Sequence, residues 1–175
     1  MTNKTREKIK EDTEFQSIVK EFVENDTVLQ MKNFIQHCDT DCFEHCYMAS
    51  YYCYKICKKF KLDYKSAARA AMVHDLFLYD WRAKNDRAGL HAFTHGKYAY
   101  ENASKLFDLN EKEKDIIVKH MWPVTIRPPK YKEGFVLTFV DKYCALEETA
   151  QYLSKKKVFK YAYILIGGLL LKFSK

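Results

Sequence analysis

Residues 64–78 read Tyr-Lys-Ser-Ala-Ala-Arg-Ala-Ala-Met-Val-His-Asp-Leu-Phe-Leu, an Ala-rich and largely apolar stretch in the middle of the chain. Its composition predicts a helix over 64–78, and because that helix is apolar on most sides, we expect it to lie in the centre of the fold. Asp63 precedes it and is placed to cap it by accepting a backbone N–H. Near its other end, His74 and Asp75 stand among apolar residues. An ionised carboxylate in such a place requires a cation or strong donors, so Asp75 needs a partner.

The rest of the chain has the same helical character. It contains only 5 Gly and 3 Pro, its apolar residues recur with a period near 3.6, and no stretch is convincing as a strand. Asn110 with Glu113 three residues later resembles a capping box. The fold class is therefore expected to be all-α. Helices are predicted over residues 12–24, 27–34, 40–61, 64–78, 94–107, 110–120, 131–153 and 158–173.

Length and composition indicate one folded domain over residues 1–175. Apolar residues make up 47% and charged residues 30% of the chain, which excludes disorder and low complexity. The 30 basic residues exceed the 23 acidic ones by 7, but the two signs are interspersed. A charge of +7 is compatible with binding phosphate groups, a membrane surface or RNA, and does not choose among them.

The chain has six cysteines, but its first thirty residues are charged and lack the apolar segment of a secretory signal. We therefore expect a reducing, cytoplasmic location rather than a disulfide framework. Cys42, Cys46, Cys53 and Cys57 fall on one stripe of a helix. This spacing indicates that the four cysteines are small buried side chains of the core rather than metal ligands or redox-active thiols.

A second carboxylate lies in an apolar helix, because Asp141 follows the core-like run 135–140. Together with His45 on the long helix 40–61, and with His74 and Asp75, it makes two imidazoles and two carboxylates. That mixture suits Zn²⁺, Mn²⁺ or Fe ions. If the four side chains converged on one cation, each of these buried polar groups would have a partner. The alternative is that each acid pairs with a lysine or arginine and each histidine bonds a backbone carbonyl.

This order of residues resembles the HD-domain superfamily of metal-dependent phosphohydrolases, which carry a His, a His-Asp pair and a distant Asp on successive helices. The corresponding residues are His45, His74, Asp75 and Asp141, and the resemblance covers about residues 30–150. The strings at 74–81 and 120–123 are similar to one bacterial branch of the superfamily. The resemblance implies an HD-type helical bundle, but it does not bring a substrate with it.

The resemblance also implies the metal ligands. His45, His74, Asp75 and Asp141 would hold one divalent transition ion, with Fe, Mn, Zn, Ni and Co all open. His95 and His120 resemble the additional histidines of members with two ions, in which the Asp of the pair bridges both. Such members often have a His-His pair where this chain has His120-Met121, so either one ion or two is expected.

The resemblance implies hydrolysis of a phosphomonoester, nucleotide or related phosphate ester by a metal-activated water, with Asp75 as the catalytic residue. A catalytically silent metal- or nucleotide-binding regulatory module is the alternative, and a purely structural bundle is a third reading. Lys119, Arg127 and Lys142 are candidates to bind substrate oxygens, although each is also explained as a solvated surface charge. The expected partner is a small phosphorylated molecule, not a nucleic acid polymer.

The segment from Tyr161 to Leu171 has eleven residues without a charge, and lysines flank it. As a helix it would span about 17 Å, too short for the ~30 Å hydrocarbon layer of a membrane. Three interpretations remain open: a helix that covers the bundle, a contact in a homodimer, or an anchor at a membrane surface.

Overall fold

The computed structural model describes residues 3–83 and 88–155. Regular structure in this part of the chain is helical apart from one pair of short strands, so the all-α prediction is confirmed. A 3-10 helix, Gln30–Asn33, lies between α3 and β1. The elements are α1 Asn3–Glu11, α2 Thr13–Val23, α3 Asp26–Leu29, β1 Ile35–His37, β2 Thr40–Asp41, α4 Cys42–Lys59, α5 Tyr64–Met72, α6 His91–Ala103, α7 Glu111–Lys119 and α8 Lys132–Lys155.

Helix α5 lies in the centre, as predicted, and contacts α2, α4, α7 and α8. Its alanines are buried and allow close approach of α4, whose Ser50 Oγ donates to the Ala68 carbonyl at 2.7 Å. Both predicted caps are confirmed. The Asp63 carboxylate accepts from the Ser66 N–H, and Asn110 and Glu113 form a reciprocal capping box at the start of α7. These caps satisfy N–H groups that a helix start leaves without partners.

The predicted helix over 64–78 is too long, because α5 ends at Met72. His74 and Asp75 lie in the turn that follows, and Leu78 adopts a left-handed conformation with φ of 54°. Adjacent residues on a helix point about 100° apart, so a regular helix would not direct both side chains to one place. The turn allows both to face the same interior space.

The expectation that no strand forms is wrong for residues 35–41. Strands β1 and β2 pair antiparallel, with Ile35 opposite Asp41 and His37 opposite Thr40, and Cys38 in the turn has φ of 53°. Strands this short leave no periodicity that a sequence could reveal. Helix α1, whose buried apolar residue is Ile9, was also not predicted, because it is otherwise polar.

The cysteine stripe of α4 is buried and its thiols are free, which confirms the prediction of small core side chains. Burial raises the pKa of the Cys46 thiol well above its usual value, so it remains protonated and apolar. Of the described helices, none is both long and apolar enough to cross a bilayer. The predicted helix over 158–173 lies outside the described residues, and that helix and the single domain over 1–175 stay predictions.

Candidate metal centre

Four side chains from different parts of the chain meet in the interior: His45 of α4, His74 and Asp75 of the turn after α5, and Asp141 of α8. Each offers a ligand atom, and these atoms all lie within 4.8 Å of one another. His45 Nε2 is 3.1 Å from Asp141 Oδ1, while His74 Nε2 is 3.6 Å from the same oxygen and 3.4 Å from Asp75 Oδ2. We call this group the first cluster.

A second cluster adjoins the first and shares Asp75 with it. It adds His95 of α6 and His120, the residue directly after α7. The Oδ1 atom of Asp75 lies 3.2 Å from His95 Nε2 and 3.6 Å from His120 Nε2. The two oxygens of Asp75 therefore face different histidine groups, which is the arrangement of a bridging carboxylate.

Backbone carbonyls orient three of the histidines. Contacts of this kind assign the proton to Nδ1 and direct the lone pair of Nε2 into the cluster. His95 Nε2 and His120 Nε2 then face each other at 2.8 Å, which requires a proton or a cation beside them. The Nδ1 contacts are His74 to the Ala71 oxygen at 2.7 Å, His95 to the His91 oxygen at 2.7 Å and His120 to the Ile117 oxygen at 2.8 Å.

The surroundings of these imidazoles shift their pKa values in different directions. Burial, together with the neighbouring His95 and His74, lowers the pKa of His120 to about 3, so His120 is neutral and able to coordinate. Burial also acts to lower the pKa of His95, but the nearby Asp75 carboxylate outweighs this and raises the pKa. The pKa of Asp75 is lowered, because the nearby histidines outweigh the effect of burial.

His45 is oriented differently, by a carboxylate that the sequence analysis missed. Its Nδ1 is 2.9 Å from Glu148 Oε1. Burial opposes a charge on His45, yet the carboxylates of Asp141 and Glu148 raise its pKa well above the usual value. Glu148 follows Asp141 by seven residues, two turns of the same helix face, and that spacing is a signal that could have identified it.

Gln36 of β1 is a second residue that was missed. Its Nε2 donates to Asp75 Oδ2 at 2.5 Å, and it is buried. The short hairpin places it there, and no pattern in the sequence indicated either the hairpin or the contact.

The donor set fits a transition-metal ion. His74 Nε2 and Asp75 Oδ1 are shielded from solvent and lack a hydrogen bond, although polar groups in such positions are normally satisfied. Among the described residues, no lysine or arginine pairs with Asp75 or Asp141, so the alternative in which bases neutralise these acids is not what the structure contains. Imidazole nitrogens with carboxylate oxygens are the ligands that zinc, manganese and iron accept.

The clusters border a cavity of about 250 Å³. Trp81 and His91 form an aromatic part of its wall, with their rings stacked at 5.4 Å. His37 and Lys142 also line it, and Met121 stands beside His120. A larger open groove of about 590 Å³ between α2 and α5 contains none of the ligands, and its Arg69 is engaged by Glu21 and Glu113.

The three predicted substrate-binding cations have different positions. Lys142 lines the cavity, and its Nζ donates to the Thr138 carbonyl at 3.1 Å. Lys119 pairs instead with Asp115, one helical turn earlier, and borders a separate groove. Arg127 is exposed in the loop after α7 and is not part of the cavity wall. Proximity to His120 in sequence therefore does not bring Lys119 or Arg127 to the cavity.

A family model for the HD domain matches residues 42–156, well over half of the chain, which therefore belongs to the HD-domain family. The matched residues include every member of both clusters. Members of this family are generally metal-dependent hydrolases. Comparison with curated proteins gives no match, and neither does comparison with solved structures.

Proposed function

We propose that the protein is a metal-dependent phosphohydrolase that acts on a small phosphomonoester, nucleotide or related phosphate ester. The observation that carries this proposal is the pair of clusters that share Asp75 beside a cavity. Family membership agrees with it, since it suggests a metal-dependent phosphohydrolase.

His45, His74, Asp75 and Asp141 would hold a first divalent ion, and Asp75, His95 and His120 would hold a second. Bound there, such ions supply a hydroxide nucleophile at neutral pH and neutralise charge on phosphoryl oxygens. Asp75 is common to both clusters. We assign it the central role because its Oδ2 faces His74 and its Oδ1 faces His95.

Residues of the cavity wall would bind the substrate. Of the lysines and arginines in the described part of the chain, Lys142 is the one that lines the cavity. Its ammonium group would interact with a phosphate as a point charge. Trp81 and His91 offer flat faces to an organic group. A volume of about 250 Å³ suits a small ester, and it favours such a substrate over a nucleic acid polymer.

The test is phosphate release from a panel of phosphomonoesters and nucleotides by protein loaded with Mn²⁺, Fe²⁺, Zn²⁺, Ni²⁺ or Co²⁺. We expect Asp75→Asn to lower the rate by at least about 100-fold, the scale for losing a group that stabilises transition-state charge. Asp80→Asn is the matched control, because Asp80 is exposed, contacts Arg82 and does not line the cavity.

Two outcomes would contradict the proposal. Protein that retains metal and binds nucleotides, yet releases no phosphate from any member of the panel, would be the silent regulatory module instead. Protein that takes up no transition metal under any loading condition would leave only a structural bundle.

A further inference from the structure

Gln36 is a buried amide of strand β1, and only one of its two polar atoms has a partner. Its Nε2 donates to Asp75 Oδ2 at 2.5 Å. Its Oε1 is shielded from solvent and has no hydrogen-bond partner in the part of the chain that the structure describes. A buried polar atom without a partner lowers stability. Gln36 is therefore a residue whose place in the interior calls for a role other than stability.

The chemistry of Asp75 determines which way round this amide lies. An ionised carboxylate only accepts hydrogen bonds, so it requires the NH₂ group of the amide as its neighbour. The reverse orientation would place Oε1 of Gln36 against Oδ2 of Asp75, two acceptors in contact. The side chain thus leaves its own oxygen unpaired in order to donate to Asp75.

The hairpin of β1 and β2 brings Gln36 to the site. Strand β1 packs against α4 and α8, the helices that carry His45 and Asp141. The Phe34 carbonyl accepts from the Cys42 N–H at 2.8 Å, which ties the start of the strand to the first turn of α4. Gln36 is the middle residue of β1 and the buried one of its three residues.

Asp75 is held at two points by this part of the chain. Gln36 contacts its carboxylate, and Cys42 Sγ donates to its backbone carbonyl at 3.2 Å. Its Oδ2 then lies 3.4 Å from His74 Nε2, and its Oδ1 lies 3.2 Å from His95 Nε2. The terminal torsion of an aspartate is otherwise broad, so a carboxylate without such a contact would not keep its two oxygens in separate directions.

We propose that Gln36 is a positioning residue that fixes the rotation of the Asp75 carboxylate and so supports both clusters at once. The inference rests on the metal centre of the proposed function. Glu148 contacts His45 and therefore acts on the first cluster alone, whereas Gln36 contacts the residue that the two clusters share. Loss of the Gln36 donor should weaken metal binding at both clusters. Losing a hydrogen-bonding partner of a metal ligand typically lowers affinity about 10–100-fold.

Gln36→Met tests this role, because methionine is unbranched and of similar length but has no N–H donor. Titration with Mn²⁺, followed by electron paramagnetic resonance of the free ion, measures the dissociation constant. The change is made in His120→Ala protein, which keeps the first cluster, and in His45→Ala protein, which keeps the second. We expect the dissociation constant to rise about 10–100-fold in both backgrounds. Gln30→Met is the matched control, an exposed change six residues earlier, and it should leave both constants unchanged.

A second control separates positioning from packing of the hairpin. Ile35→Ala removes side-chain volume from the same strand, but Ile35 does not line the cavity. Its dissociation constants should stay close to those of the unsubstituted protein. Equal losses in Ile35→Ala and Gln36→Met would make Gln36 a structural residue only and would overturn the proposal. Circular dichroism checks that each variant is folded, and Gln36→Asn, which withdraws the donor by one methylene, replaces Gln36→Met if that variant does not fold.

The spins of two Mn²⁺ ions provide a readout that packing alone does not change. Ions that share a carboxylate have coupled spins, so wild-type protein saturated with Mn²⁺ should give a coupled spectrum. Gln36→Met protein at the same saturation should give the six-line spectrum of isolated ions, and Ile35→Ala protein should keep the coupled one. The same coupled spectrum in Gln36→Met would contradict the proposal. A loss of affinity confined to the His120→Ala background would also contradict it, because Gln36 would then serve the first cluster only.

These outcomes separate the role of Gln36 from the function on which it rests. Wild-type protein that binds no Mn²⁺ or other transition metal would contradict both. Equal Mn²⁺ binding by wild-type and Gln36→Met protein would contradict the positioning role alone. The expected losses of affinity in protein that hydrolyses no phosphate ester would contradict the phosphohydrolase function alone.

Discussion

The histidines of the site differ in the group that contacts Nδ1, the ring nitrogen that faces away from the clusters. Backbone carbonyls fix His74, His95 and His120, and a substitution cannot remove a carbonyl. His45 instead depends on the side chain of Glu148, which a mutation can change. A carboxylate behind a metal-binding imidazole fixes its tautomer and raises its basicity.

Replacing Glu148 with Gln or Ala should therefore weaken metal binding at the first cluster about 10–100-fold, the usual effect of losing such a partner. Competition with a chromogenic chelator measures the dissociation constant. Glu147→Gln is the control, because Glu147 contacts Tyr52 and Gln151 rather than the cluster. An unchanged dissociation constant for both Glu148 variants would exclude a positioning role.

Metal binding near neutral pH should release protons. Neighbouring carboxylates outweigh burial and raise the pKa of His45 and of His95, which favours the protonated imidazolium in the metal-free protein, whereas coordination needs a free lone pair on each ring. His120, with a pKa of about 3, has no proton to lose. Affinity should accordingly rise with pH and fall as the solution becomes acidic.

Titration calorimetry in two buffers of different ionisation enthalpy counts the released protons. The observed enthalpy should depend on the buffer, and His45→Ala should reduce that dependence. The same enthalpy in both buffers would show that the imidazoles are already neutral.

At the scale of secondary-structure elements, the contact between α6 and α7 positions the second cluster. Gly96 follows His95, and a Cβ atom there would lie 2.9 Å from the Ile117 oxygen and 3.2 Å from the Val118 oxygen. Both oxygens belong to backbone just before His120. The absence of a side chain at residue 96 thus allows the two helices to bring their histidines together.

Gly96→Ala should separate α6 from α7, at a cost of about 1–3 kcal/mol in the free energy of unfolding. It should also reduce metal binding at the second cluster while the first remains intact. Chemical denaturation and elemental analysis measure these effects. Lys97→Ala, an exposed change on the same helix, should alter neither. Full metal content in Gly96→Ala would show that the close approach is not needed.

The start or end of a helix could be predicted from the sequence where a local signal, such as a capping residue, marks it. The caps at Asp63 and Asn110 have such signals, and both were predicted. The end of α5 has none, because no glycine or proline follows Met72 and the apolar run continues to Leu78. Tertiary contacts of the turn decide the boundary there: Cys42 Sγ donates to the Asp75 carbonyl, and Asn102 Nδ2 donates to the Leu76 carbonyl.

The residues of the site were predictable to a similar extent. Burial and ligand chemistry identified His45, His74, Asp75 and Asp141, and the family resemblance assigned His95 and His120 to a second ion. Gln36 could not be found, since it reaches the site through a hairpin of a few residues. Proximity to a motif in sequence did not identify a cation that binds the substrate, because Lys119 pairs with Asp115 on its own helix.

Across the whole molecule, the two clusters connect distant parts of the chain. Their ligands come from residues 45–141 and from α4, α6, α8, the turn after α5 and the end of α7. A cation that binds only when these parts are assembled stabilises the folded state.

Saturating metal should therefore raise the free energy of unfolding, by about 2.7 kcal/mol at a free concentration 100 times the dissociation constant. Thermal or urea unfolding with added metal, and with a chelator, measures the difference. Asp75→Asn should show little of it. An equal gain in the wild-type protein and in Asp75→Asn would locate the stabilising ion elsewhere.

Metal stoichiometry in three variants tests the shared role of Asp75 most directly. Elemental analysis of metal-saturated, desalted protein should find one ion lost in His45→Ala, the other lost in His120→Ala, and both lost in Asp75→Asn. Asp75→Asn protein with the same metal content as the wild type would contradict the account.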